Sequence, residues 1–497
     1  MTLYDKKMLR RLVLSAIILL MIPIAPAQAT EAQIKVMSRN LYLGADVGVA
    51  MKLLPKFSDA AQFMWDQMKA NDFSKRAPKL AQEVITYKPD VIGLQEATIW
   101  YCKKNAWSKK TEVLNFTKQF LAATKNLGEE YVLAEKNGVL ARNPGYSIAP
   151  VPYLTMVNDP ATFQPLFGQD KAACGFEIGD ALAVKKSLAK NIQRVGNTEY
   201  EQTYTIIPTL MTIYRGYSWA DIDFNGVLTR VVTTHLESIW DKNKIPNSAI
   251  QAEQLVQDLS RTKLPLVVLG DFNSDPRDPR PATAPNPGEQ PVASDNCPAQ
   301  VDRPVIESAE STCNAYWIMK RSGFFDASPD PQNPANFTWG ASALLAGPEK
   351  NRYEAAVTMG NPNGFTDRLD YVFIKNGVTS ISSQIIGNQW PIGLSTWQCN
   401  NPEQITNTKE IAALEKIDIP NVGFCLATDH AGIFATMGLN NAGSNAGDEV
   451  PPSHKPFPIS FWQWVGIAIF LIVMWRLRRR WRRNQSSEQP EELGEES

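Results

Sequence analysis

Six apolar runs in this chain stop on side chains from a narrow chemical set. "SRNLYLG" carries Asn40, "VIGLQE" ends on Glu96, "VVTTHLE" holds His235, "VVLGDFN" presents Asp271 and Asn273, "RLDYVF" contains Asp370, and "ATDHAG" pairs Asp429 with His430. The chain has only three histidines; two fall in these clusters, and the third is His454. Carboxylate and carboxamide oxygens suit Mg²⁺ or Mn²⁺, which keeps waters for a phosphate to displace, whereas zinc wants more His or Cys. A metal-held phosphoryl oxygen, a carboxylate that takes a proton from water and a protonated histidine that neutralises charge on phosphorus together describe metal-assisted phosphoester hydrolysis. That chemistry needs no covalent nucleophile.

Each residue also has a structural reading. A lone histidine at a strand end is more often a satisfied core residue than a catalyst. In an extended segment Asp271 and Asn273 share a face, which aims both at the sheet's end. The competing reading is an Asx-turn running into Ser274-Asp275-Pro276, with both side chains serving local N–H groups. Six endings of one kind favour chemistry over chance.

Elements must bring these ends together. "QIKVMSRN" alternates like a strand, Ala50 to Tyr87 carries helical apolar spacing, and "DVIGLQE" reads as a buried strand, a β-α-β rhythm that indicates an α/β domain. Further strands are expected in Gly179 to Lys186, "LPLVVLGDFN", "RLDYVFIKNG" and "HAGIFATM", with a hairpin from Thr209 to Glu237 turning at Asn225-Gly226. Asn247 to Leu259 reads as a helix. Arg277 to Asn314 is Pro-rich and aperiodic, a surface excursion pinned by Cys297 and Cys313.

The ordered set "LQE", "THLE", "GDFN", "RLDY" and "DH" resembles the endonuclease/exonuclease/phosphatase superfamily over roughly Gln33 to Met437. The resemblance implies a four-layer α/β sandwich of two packed mixed sheets flanked by helices. It implies that Glu96 is the principal Mg²⁺ ligand, with Asn40 its amide neighbour and Asp429 an auxiliary ligand. Asp271 would orient or deprotonate water, Asn273 contact phosphate, and His430 bind the scissile phosphate with Asp370 behind it. His235 would contact phosphate or assist the leaving group. Asp180 of "GDAL" departs from the family's "GNA". Thr338-Trp339 resembles a "TW" position near the site, though a Trp packed under a loop reads equally well. Arg215 could meet a phosphate or be a strand-surface Arg, and Lys75 and Arg76 match a structural helix.

The two ends set the compartment. Residues 1–29 have a basic start, an apolar core and small residues at Ala27 and Ala29, a secretory signal cut after Ala29. Residues 458–476 are apolar enough for one membrane span, and the arginines from Arg476 onward would stay cytoplasmic with the tail 477–497. The catalytic domain, 30–440, then lies in the periplasm or outside, joined to the membrane by a flexible tether, 441–457, rich in Gly, Asn, Ser and Pro. Of 50 basic and 51 acidic residues, four and one fall in the signal and six and five from Arg476 onward, leaving 40 against 45. A mildly acidic body disfavours polyanions through net charge, although a local basic groove would escape that sum. Six cysteines in an exported chain favour disulfides, and proximity suggests Cys297 with Cys313 and Cys399 with Cys425.

The substrate stays open. The expectation is a nuclease-like phosphodiesterase; a lipid phosphodiesterase of sphingomyelinase or phospholipase C type is the alternative, and a phosphate-binding module without catalysis the reading from another class. No obligate protein partner is evident.

Overall fold

Val267 and Leu269 pack into one hydrophobic core and Leu266 and Val268 into another. The unbroken run "LPLVVLG" is therefore a strand buried on both faces, which is why it does not alternate. The computed structural model describes residues 32–105, 108–155, 171–207, 211–238, 247–277, 314–347, 350–361, 363–399, 423–440 and 449–452. Through these the chain forms β1 (Ala32–Asn40), α1 (Val47–Lys52), α2 (Phe57–Ala70), α3 (Phe73–Tyr87), β2 (Val91–Gln95), β3 (Ile99–Lys103), β4 (Thr111–Asn115) and α4 (Phe116–Asn126). It continues as β5 (Tyr131–Leu133), β6 (Arg142–Thr155), β7 (Lys171–Lys185), β8 (Ile192–Glu199), β9 (Gly216–Phe224), β10 (Val227–His235), α5 (Asn247–Leu259) and β11 (Leu266–Asp271). It ends with α6 (Ala315–Arg321), β12 (Phe325–Asp326), α7 (Lys350–Thr358), β13 (Asp370–Lys375), β14 (Val378–Ile386) and β15 (Gly432–Leu439).

Two mixed sheets carry the fold. The first runs β14-β15-β1-β2-β7-β3-β4, with β5 and β6 also paired to β7, and the second runs β8-β9-β10-β11-β13-β12. Pairing is parallel for β1 with β2 and for β10 with β11, and antiparallel for β1 with β15 and β11 with β13. Val36, Val91 and Leu182 of the first sheet meet Ile222, Val231 and Val267 of the second in the central core. Met37, Ile92 and Leu94 turn the other way, onto Trp65, Leu80 and Phe120 of α2, α3 and α4. On the far side Trp219, Val232 and Val268 pack on Leu255 of α5 and Ile318 of α6. Helix, sheet, sheet, helix is the four-layer sandwich expected, and each fully buried Val, Leu or Ile contributes about 1.5–3 kcal/mol to it. The sheets approach closely at Gly93, where a Cβ would lie 2.8 Å from Thr233 Oγ1. Beside it Gln95 Nε2 donates to Thr233 Oγ1 at 2.8 Å, tying the sheets just below the strand ends.

Several expectations change in detail. The helical stretch from Ala50 to Tyr87 is three helices, interrupted at Pro55, which has no N–H to donate, and at Asp72, whose φ is +32°. The strand expected at Gly179 begins earlier, at Lys171. The hairpin turns at Asn225-Gly226, both left-handed at φ +54° and +89°, but only β9 and β10 form it; Met211–Ile213 pairs instead with Tyr204–Ile207. Cys399 and Cys425 are bonded, and Cys102 and Cys174, opposite one another on β3 and β7, form a second disulfide. Residues 278–313 with Cys297 and Cys313, the leader 1–29, the span 458–476 and the tail 477–497 lie outside the described residues. Among the described residues no helix is long and apolar enough to cross a membrane. Of the stretch 441–457 read as a flexible tether, Glu449–Pro452 is described, and it is docked: Arg230 and Thr198 bond its carbonyls.

Candidate active site

His235, Asp271 and Asp370 stand opposite one another on a single rung of β10, β11 and β13. Leu269 faces the central core, so Asp271, two residues on, faces the same way, toward the end of β1 on the other sheet. There Asn40 Nδ2 donates to Asp271 Oδ2 at 3.1 Å. The same oxygen lies 3.4 Å from His235 Nε2 and 3.5 Å from His430 Nε2. Backbone register thus gathers four chain segments around one carboxylate oxygen.

"GDFN" forms the Asx-turn without spending the whole carboxylate on it. Asp271 Oδ1 accepts from Asn273 N at 2.9 Å, which is the Asx-turn, while Oδ2 is left for the site. Asn273 does not share an extended face with Asp271, because its φ is +46°. The turn swings its amide Nδ2 to 3.0 Å from His235 Nε2 and 2.8 Å from the Leu236 carbonyl.

His430 Nδ1 meets Asp370 Oδ2 at 2.9 Å. Burial works against a charge on this ring, but Asp370, Asp271 and Asp429 outweigh it and raise its pKa to about 10. Burial lifts Asp271 to about 7, against the pull of His430. Asp271, Asp370 and His430 place ligand atoms within 4.8 Å of one another, a spacing a metal could use. A protonated imidazole has no lone pair to give, however, so this trio reads as a charged proton-handling group. His235 behaves oppositely: burial, then Arg215 and His430, push its pKa well below 6.5. Arg215 can only donate, and its Nη1 lies 3.0 Å from His235 Nδ1, while the Asn273 amide Nδ2, also a donor, lies 3.0 Å from Nε2, so both neighbours disfavour a second proton on the ring.

Glu96 and Asp429 line the same cleft, of about 560 Å³. Burial, and then the neighbouring Asp429, raise the Glu96 pKa; burial also raises Asp429, against His430, Arg76 and a hydrogen bond from Trp339. Two carboxylates that hold each other's protons are what a divalent cation would relieve, and the oxygen donors are of the right hardness. Glu96 is fixed by its left-handed φ of +51° and by Leu43 N, 2.5 Å from Oε2. The Asn40 side-chain Oδ1 accepts from Tyr42 N at 2.8 Å. All eight residues singled out in the sequence stand at this end of the sandwich.

Asp180, the departure from "GNA", is buried on β7 and accepts the backbone N–H of His235. Its Oδ1 has no hydrogen-bond partner among the described residues. Burial, helped by Asp271 and Glu96, raises its pKa well above the carboxylate range despite Arg215. A neutral carboxylic acid offers one donor and one acceptor, as an amide does, so Asp can stand here for Asn.

Further residues position these side chains. Arg39, inside "SRN", forms a buried ion pair with Glu83 at 3.0 Å and donates to the His430 carbonyl. Arg215 bridges His235 and Glu237. Trp339 lines the cleft, and Thr338 Oγ1 accepts from Leu369 N and Asp370 N. Arg76 is wholly buried and bonds the carbonyls of Leu41, Tyr42, Asn71 and Ala427, the loops that flank Glu96 and Asp429. Replacing it by Met strands those carbonyls, so Arg76→Met should cost about 3–5 kcal/mol, read as a lower urea midpoint. A midpoint within error of wild type would remove Arg76 from the framework.

Among solved structures, an endonuclease/exonuclease/phosphatase family protein from Bacteroides thetaiotaomicron is 14% identical, with 82% of this chain and 99% of that one covered and a TM-score of 0.40. D. rerio TDP2 humanized by 14 mutations is 13% identical over 82% and 99%, at 0.36. D. rerio TDP2 complexed with single strand DNA product is 14% identical over 82% and 99%, at 0.38. No curated protein matches the sequence. The Endonuclease/Exonuclease/phosphatase family matches residues 68–392, which hold Glu96, His235, Asp271, Asn273 and Asp370. The match spans well over half of the chain, and the protein belongs to the endonuclease/exonuclease/phosphatase family.

Proposed function

We propose that the protein is a membrane-anchored, extracytoplasmic phosphodiesterase that hydrolyses its substrate by direct attack of water with a divalent metal. Members of the family are hydrolases of phosphoester bonds and typically use divalent metals. The observation that carries the reading is the Asp271 carboxylate 3.5 Å from a His430 ring that Asp370 holds at 2.9 Å. Asp271 Oδ2 takes the proton of the attacking water, and the His430 Nε2–H faces the phosphoryl oxygen as charge builds on phosphorus. Asn273 and neutral His235 contact the phosphate; with its depressed pKa, His235 suits contact better than proton delivery to the leaving group. Glu96, Asn40 and Asp429 would hold Mg²⁺ or Mn²⁺, which supplies Lewis-acid polarisation of the phosphoryl oxygens. The anchor is the span 458–476, with the catalytic domain on the non-cytoplasmic side.

Nucleic acid is the first expectation for the substrate. A second reading has its own observation. The cleft is walled by Leu43, Val47, Val49, Ile178 and Ile213, and its only cations among the described residues are Lys52 and Arg215, against Asp46, Glu96 and Asp429. A polyanion is held by several Lys and Arg along its backbone, whereas one phosphodiester with an apolar substituent suits this wall. The full-length protein, assayed with plasmid DNA, RNA, sphingomyelin and phosphatidylcholine, separates the two. Mg²⁺-dependent, EDTA-sensitive turnover of nucleic acid alone establishes the nuclease; lipid turnover alone establishes the second reading. No turnover of these or of a p-nitrophenyl phosphodiester leaves the non-catalytic binding module.

A further inference from the structure

Beyond β15, Glu449–Pro452 lies across the outer face of the second sheet, where Arg230 Nη1 donates to the Glu449 carbonyl at 3.0 Å and Thr198 Oγ1 to the Pro452 carbonyl at 2.6 Å. Arg230 is fully buried: its Nε and Nη2 meet Asp221 at 2.8 and 3.0 Å, and the guanidinium sits 4.9 Å from the Trp219 ring centroid. The strap therefore supplies an acceptor to a buried charge, an arrangement costly to undo. Pro451 is buried beside it, and Pro451-Pro452 keeps the segment extended while leaving only carbonyls to satisfy. The exposed pair Arg261–Glu449 at 2.9 Å adds little.

The direction of the strap matters. Arg230 lies five residues before His235 on β10, whereas Thr198 is one residue short of the rung Glu199–Gly216–His235. From Glu449 to Pro452 the chain thus travels toward the catalytic end and leaves it two strands, about 10 Å, from His235. Six residues, 453–458, then separate Pro452 from Ile459, the first residue of the apolar run. Fully extended they reach about 25 Å, against about 65 Å for a tether starting at Asn440.

We infer that Glu449–Pro452 is a docking strap that holds the cleft-bearing end of the sandwich against the bilayer, so that the site works on phosphodiesters at the lipid surface. The inference rests on the membrane anchoring proposed above. By restricting the tether to about a third of its length the strap raises the local concentration of surface phosphodiesters roughly fivefold, since that concentration falls as the −3/2 power of linker length.

The test uses the full-length chain reconstituted in phosphatidylcholine vesicles that carry an energy-acceptor lipid. A fluorescent amino acid is placed either at Lys52, exposed at the cleft mouth, or at Asn225, the hairpin turn at the opposite end. Nine residues of β9 put the two ends about 30 Å apart. Transfer from Lys52 should exceed transfer from Asn225 several-fold, and a 20-residue Gly-Ser insertion after Pro452 should erase the difference. Equal transfer from both positions, or a difference that survives the insertion, overturns the strap. Protein that stays in the supernatant, with no transfer from either position, refutes the anchoring instead. The readout needs no turnover, so it stands apart from failure of the catalytic reading.

Discussion

Asp271→Asn should lower kcat on a phosphodiester by about 10²–10⁴ while leaving the circular dichroism spectrum unchanged. The amide preserves the volume of the side chain, and its carbonyl oxygen can still accept from Asn273 N, so the turn after β11 survives. What it loses is the ability to take a proton from water at the point where Asn40, His235 and His430 converge. The pH profile gives an independent check. With Asp271 at about 7, its protonated form cannot act as a base, so wild-type activity should rise with pH through about 7. In Asp271→Asn that acid limb should vanish. A variant with wild-type kcat, or with an unchanged acid limb, removes Asp271 from proton transfer.

Asp370→Asn should cost on the order of 10²–10³ in kcat and should act at the other end of the pH range. Asp370 is the nearest of the carboxylates that hold His430 protonated, to about 10, against the cost of burial. Wild-type activity should fall as pH rises through about 10, because the neutral ring no longer balances charge on phosphorus. Without the carboxylate, burial pulls the imidazolium pKa down, and the alkaline limb should move toward neutral pH. A lower rate with an unmoved alkaline limb would mean that Asp370 shapes the fold without setting the charge on His430.

Strand ends were the most legible part of the sequence. Runs such as "VVLGD" and "RLDYVF" are read correctly because burial on both faces demands continuous apolar residues, and the polar residue that ends such a run has only the sheet edge to occupy. One rung then places His235, Asp271 and Asp370 together, a consequence of register that spacing along the chain cannot express. Asn273 shows where local pattern failed: alternation assumed an extended backbone, and a left-handed turn sent the amide elsewhere. Arg39 and Arg76 show a different limit. Their roles lie in carbonyls more than 300 residues away in sequence, at His430 and Ala427, and a buried guanidinium looks like any surface Arg until the chain has closed around it. Docking of Glu449–Pro452 was hidden in the same way, since a Pro-rich stretch after the last strand reads as a linker whether or not a buried Arg230 waits for its carbonyl.

Hydrolysis of bis-p-nitrophenyl phosphate by the full-length protein, in Mg²⁺ and then in EDTA, tests the whole account most directly, with Glu96→Ala beside wild type. Metal-assisted attack of water predicts nitrophenolate release that EDTA stops and excess Mg²⁺ restores, and no release above background from Glu96→Ala. Turnover that persists in EDTA, or Glu96→Ala working at the wild-type rate, would contradict it.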